Sequence, residues 1–133
     1  QEEDFEYGFD TRADVLVREQ MRRNELATKE WLNDLFVENF HDVSVIVGLL
    51  RIVARLDYLS ISPAGPTMAT AALSHRDVEV QECGVRAFEA WEALDSLNVL
   101  ENLEVSPDWL QEYIDQVVQD LKEQHYVPAY QES

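Results

Sequence analysis

Apolar residues recur along the chain at spacings of three and four, the period of helices that bury one face. Leu32, Leu35, Phe36 and Phe40 follow this period and predict a helix over 28–40, with Thr28 as its N-cap. Asp42 is the predicted cap of a helix over 42–58. Its Val43, Val45, Ile46, Val47, Leu49, Leu50, Ile52, Val53 and Leu56 leave only the row Ser44, Gly48, Arg51 and Arg55 small or polar. So apolar a helix has to be central and covered on most sides. Ser60 to Thr67 reads as a connector, with Pro66 suited to the first turn of a helix over 66–74. A helix over 78–94 places Val80, Gly84, Ala87, Phe88 and Trp91 on one face, which makes Phe88 and Trp91 core residues. A short helix follows around 97–103. Ser106, Pro107 and Asp108 open a last helix over 107–123, which buries Leu110, Tyr113, Ile114, Val117, Val118 and Leu121. Ahead of these, Thr11 caps a helix over 12–25 with a thin apolar side, in which Glu19 and Arg23 form an i,i+4 pair. Residues 1–10 and 124–133 are expected to be irregular arms of a single domain spanning 1–133.

These segments repeat. A shift of 35 positions lays Asp42-Val43-Ser44-Val45 over Asp77-Val78-Glu79-Val80, and Arg51, Ile52 and Val53 over Arg86, Ala87 and Phe88. A further shift of 30 lays Val80, Gly84, Ala87, Phe88 and Trp91 over Leu110, Ile114, Val117, Val118 and Leu121. Self-similarity at this period marks stacked helical hairpins, each unable to bury its apolar face alone. The stretch from Ala72 to Phe88 resembles the HEAT-repeat family, with Leu73, Asp77, Val80, Gly84 and Ala87 in the places of its pattern and Gln81 where the family usually has Arg. The resemblance extends from 63–94 to 28–58 and, more faintly, 95–123. It implies an all-α, α-α superhelix of about three HEAT-like hairpins plus an N-terminal helix, right-handed, with the second helices lining the concave side. It implies no particular activity.

Composition narrows the function classes. The 133 residues suffice for one core, and four Gly and four Pro are too few for a low-complexity chain. No apolar run approaches the length needed to span a bilayer, and the expected setting is cytoplasmic. Twenty-seven acidic against ten basic residues give a net charge of −17, which repels phosphate backbones and anionic lipid alike. Neither nucleic acid nor a membrane is therefore an expected partner. The charge is uneven: from Asp77 to Asp120 there are twelve acidic residues and a single basic one, Arg86, whereas Arg18, Arg22, Arg23, Arg51 and Arg55 lie in the first half.

Candidate chemistry is sparse. The lone Cys83 excludes an intrachain disulfide and a cysteine zinc site. No Gly-rich phosphate loop, nucleophile elbow or His-Glu-x-x-His helix occurs. His41 and His75 fall at inter-helix turns and read as surface residues, since neither is followed by the Glu of the His-Glu pairs that hold iron in some HEAT enzymes. Arg51 and Arg55, one turn apart on the most apolar helix, require water, a carboxylate such as Glu79 or Glu82, or a ligand. No cofactor or metal is expected.

The expected function is thus a non-enzymatic protein–protein interaction module whose partner presents a basic patch. The outward rows Arg51 and Arg55, then Glu82, Arg86 and Glu89, then Glu112 are its predicted contact surface. Alternatives are an acidic inhibitor or immunity-type protein masking a basic nuclease or toxin, and a helical-repeat enzyme or lyase-like subunit. An acid-rich, Lys-poor surface that only serves solubility in a salty medium is the remaining explanation of the charge.

Overall fold

The computed structural model describes residues 12–132, and side chains through Gln124. Every element in this range is a helix, and no strand occurs among the described residues. In chain order they are α1 (Arg12–Arg23), α2 (Glu25–Glu38), α3 (Val43–Ala54), α4 (Tyr58–Ile61), α5 (Ala64–Ala72), α6 (Val78–Trp91), α7 (Ser96–Leu100) and α8 (Asp108–Glu132). The most extensive contact joins α3 to α6, followed by α5 to α6. Helix α1 packs on α2, α2 touches both α3 and α5, and α8 closes on α6 and α7.

The apolar positions read from periodicity fill two adjoining clusters. Leu32, Phe36, Ile46, Leu50, Val53, Ile61 and Met68 are buried in the first. Val85, Phe88, Leu97, Leu100, Leu110, Ile114 and Val117 are buried in the second. Trp91 is half-buried and packs against both, so it joins them at the surface. Its indole nitrogen is enclosed without a hydrogen-bond partner among the described residues. Gly84 sets the distance between α5 and α6: a Cβ there would stand 2.8 Å from the Ala69 carbonyl oxygen and 3.1 Å from Ala72 Cβ.

Capping explains most boundaries and corrects several. Asp42 accepts from the Val45 N–H at 3.4 Å, and Asp77 accepts from Glu79 and Val80 at 2.8 and 3.3 Å, so both predicted caps open helices. Thr28 does not. Asn24 caps α2 by accepting from Ala27 at 3.1 Å, while Thr28 is buried one turn inside and donates its hydroxyl to the Asn24 carbonyl at 2.8 Å. A threonine one turn into a helix satisfies itself this way and mimics a cap in sequence. The helix expected over 42–58 ends at Ala54, because Asp57 caps the separate short α4 through Ser60 at 3.2 Å. Helix α6 ends at Trp91 and Glu92 takes the left-handed conformation, φ 53°. The segment from Gln124, expected to be irregular, continues α8 to Glu132, since extending a formed helix costs far less than starting one. Thr11 and the arm 1–10 lie outside the described residues.

His75 departs most from expectation. It is only 7% exposed. Its Nδ1 accepts from the Asp77 N–H at 3.0 Å, which leaves Nε2 to donate to the Phe40 carbonyl at 2.8 Å. The ring packs on Phe40 at 4.7 Å between centroids, and the His75 carbonyl accepts from Gln81 Nε2 at 2.5 Å. One imidazole thus clasps the α2–α3 turn to the α5–α6 turn, 35 residues apart. Replacing it strands a carbonyl and an N–H together, so His75→Ala should lose about 2–4 kcal/mol of unfolding free energy. Urea unfolding should show a lower midpoint at unchanged slope. An unaltered midpoint would mean that the His75 contacts contribute nothing to stability.

Candidate interaction surface

The acidic second half is organised by helices α6 and α8. On the outer side of α6, Arg86 donates to Glu82 at 2.7 Å, one helical turn away, and its guanidinium stands 5.8 Å from the centre of the Tyr113 ring of α8. The Tyr113 hydroxyl donates to Glu89 of α6. A chain of polar contacts from Glu82 through Arg86 and Tyr113 to Glu89 thereby ties the two helices along their exposed edge. Burial and the hydrogen bond to Glu89 push the Tyr113 phenol well above its ordinary range.

Below this chain the helices part into an open groove lined by Glu89, Glu92, Val117, Asp120, Leu121, Glu123 and Gln124. Val117 and Leu121 are buried and form an apolar floor, and four carboxylates stand on the rim. Two of these are oriented from α8 itself: Gln116 donates to Asp120 and Gln119 to Glu123, each at 3.0 Å. Gln111 makes the same i,i+4 contact to Asp115 at 3.0 Å. A carboxylate held by one such donor keeps further acceptor positions for a ligand. The fourth, Glu92, is presented by the left-handed turn that ends α6, a conformation costly for any residue with a Cβ.

The six residues singled out from sequence separate into different settings. Glu82, Arg86 and Glu89 lie together on the α6–α8 edge, and Glu112 is exposed on α8. Arg55 turns inward and forms an ion pair with Asp14 of α1, whose side chain is 1% exposed. Arg51 is half-buried at the seam between α3 and α6, where its charge opposes the rise that burial imposes on the Cys83 thiol. The two arginines therefore do not continue the acidic row. Glu92, Asp120 and Glu123 were missed by sequence reading, although Gln-x-x-x-Asp/Glu occurs three times along α8 and marks carboxylates with a built-in donor.

No protein-family model, curated protein or solved structure matches this chain. His41 and His75 both contact the Phe40 ring, at 5.5 and 4.7 Å. Among the described residues no helix is long and apolar enough to cross a membrane.

Two outcomes test these contacts. Asp14→Ala removes the buried carboxylate that Arg55 pairs with and should cost about 3 kcal/mol, whereas the double variant Asp14→Leu/Arg55→Met should recover part of the loss. Thermal or urea unfolding reads both; equal loss in single and double variants would mean that packing rather than charge governs the site. For Tyr113, the folded state favours the protonated phenol. Its contribution to stability is present below the unfolded-state value near 10.0 and is lost as pH rises above it. Absorbance titration of phenolate should show a last step that Tyr113→Phe deletes.

Proposed function

We propose that the chain is a non-enzymatic interaction module that binds a basic, amphipathic protein segment in the α6–α8 groove. The carrying observation is the pairing of four rim carboxylates, Glu89, Glu92, Asp120 and Glu123, with an apolar floor of Val117 and Leu121. Lys and Arg side chains suit such a place, because their methylene stems cover apolar surface while the charged heads meet carboxylates at the edge. The net charge of −17 adds long-range attraction for a cationic partner and speeds its arrival. A uniform solvation layer needs no apolar floor, and the presence of one favours binding over solubility alone. Stacked HEAT-like hairpins in the cytoplasm remain the architecture and setting that go with this reading, with no cofactor required.

Glu92, Asp120 and Glu123 are the residues to reverse, since each lines the groove and is exposed. Titrating the labelled protein with a synthetic peptide of alternating Lys and Leu should shift the amide resonances of the groove, with affinity falling as salt rises over a Debye length of about 10 Å at 0.1 M. Converting all three residues to Lys should abolish those shifts while the unfolding midpoint changes little, as exposed substitutions rarely cost much. Diffuse shifts over every acidic surface, retained in the triple variant, would leave the acids as a solvation layer.

A further inference from the structure

A second open groove, of about 730 Å³, lies at the connector between α4 and α5. The outer stripe of α5 and its N-cap contributes Pro63, Pro66, Thr67, Thr70 and Ala71, which recur at helical spacing. Helix α4 and its C-cap contribute Tyr58, Ser62 and Leu59, the last 81% exposed, and Asp95 ahead of α7 completes the lining. The hydroxyls of this groove are all engaged in one sense. Ser62 donates to the Tyr58 carbonyl at 2.6 Å, Thr67 to that of Pro63 at 2.8 Å and Thr70 to that of Pro66 at 2.8 Å. A hydroxyl whose one proton is so held offers a ligand only lone pairs. Pro63 and Pro66 have no backbone N–H to add.

Asp95 adds the charge. It stands at the N-cap position of α7 yet makes no capping hydrogen bond, and it interacts instead with the Tyr58 hydroxyl of α4. Burial and the Asp95 charge raise the Tyr58 phenol above its ordinary range, the Ser62 contact opposes this, and the hydrogen bond to Asp95 adds to it. The phenol therefore keeps its proton and holds it toward the carboxylate. Lys29, which reaches the same turn, is engaged by the Ser62 carbonyl at 2.9 Å and by Glu25 at 3.4 Å. Among the described residues, the lining side chains thus present oxygen acceptors, one of them ionised, beside apolar Leu59, Ala71 and the proline rings. An anion would meet only lone pairs here, whereas a cation with N–H groups satisfies the acceptors while its apolar body covers the rest. We propose that this groove binds a small organic cation, a primary ammonium or guanidinium carried on an apolar body, with Asp95 as its counter-charge and Thr67 and Thr70 as acceptors. The volume suits a small molecule, and the single carboxylate matches a single positive charge. The groove shares no lining residue with the one between α6 and α8, so the two sites stand or fall separately.

The test is an amide-resonance titration of the full chain with 2-phenylethylamine at about 0.15 M salt, where charges are screened beyond roughly 8 Å. Saturable shifts should gather at Tyr58, Leu59, Thr67, Thr70 and Asp95, with a dissociation constant in the roughly millimolar range expected of so small a ligand. Its N,N,N-trimethyl analogue keeps the charge but has no N–H, and 3-phenylpropanoate reverses the charge; the first should bind about tenfold more weakly and the second should leave the groove unshifted. Asp95→Asn should weaken the amine about tenfold or more. It removes one of 27 acidic residues, so a loss of that size cannot come from general attraction to the acidic chain. Thr67→Val/Thr70→Val keeps the shape of the wall and deletes two acceptors, and should also weaken binding several-fold. All three positions are exposed, and an unchanged unfolding midpoint checks that each variant is folded. Shifts spread over every acidic surface, equal binding of the amine and its trimethyl analogue, or undiminished affinity in Asp95→Asn would each overturn the proposal.

Discussion

Everything in this architecture answers to helix α3, which has almost no polar face. Ile46, Leu50 and Val53 are fully enclosed, and Val47, Leu49 and Ile52 nearly so. Covering a rod of that composition requires neighbours on nearly every side, and α1, α2, α5 and α6 all touch it. Transfer of such side chains from water contributes about 1.5–3 kcal/mol each, far more than any surface contact in the molecule. The close approach at Gly84 follows from the same demand, since α5 and α6 must meet tightly to close the roof over α3. The polar clasps then select among packings that the apolar residues alone would allow. His75 fixes two turns against one another, and the Asp14–Arg55 pair fixes α1 against the end of α3.

The α6–α8 groove depends on how the second half is assembled around that centre. Helix α8 buries Leu110, Ile114, Val117 and Leu121 at helical spacing, and this turns its acidic positions outward as a consistent edge. Because α6 stops at Trp91 while α8 runs on, the two helices cannot stay in contact along their whole length. The groove opens where α6 ends. Its chemistry combines residues of both helices near that break, which explains why a floor of Val117 and Leu121 is bordered by Glu89 and Glu92 from one helix and Asp120 and Glu123 from the other.

Periodicity made the core legible. Leu32, Phe36, Val80, Phe88 and Ile114 are buried as their spacing requires, and Asp42 and Asp77 cap the helices they precede. What escaped sequence reading depended on pairs distant in the chain or on competing local signals. Arg55 finds its carboxylate 41 residues away on a helix with little apolar signal of its own. His75 looked like a turn residue because it is one, yet its ring is held inward by an N–H two residues on and a carbonyl 35 residues back. Asn24 and Thr28 are both good caps by residue type, and only backbone geometry distinguishes the cap from the residue one turn inside. For the groove, the abundance of acids hid the few that stand beside Val117 and Leu121. A carboxylate gains meaning here from the apolar floor beside it, which is a property of three-dimensional arrangement.

The left-handed turn at Glu92 gives that arrangement a further consequence. Glycine would occupy this position without strain, while a residue with a side chain bears roughly 1–2 kcal/mol of steric cost. Laboratory evolution toward heat tolerance would favour glycine there, and by the same substitution would strip a carboxylate from the groove. Thermal robustness and the acidity of the groove rim are thus in direct competition at one codon.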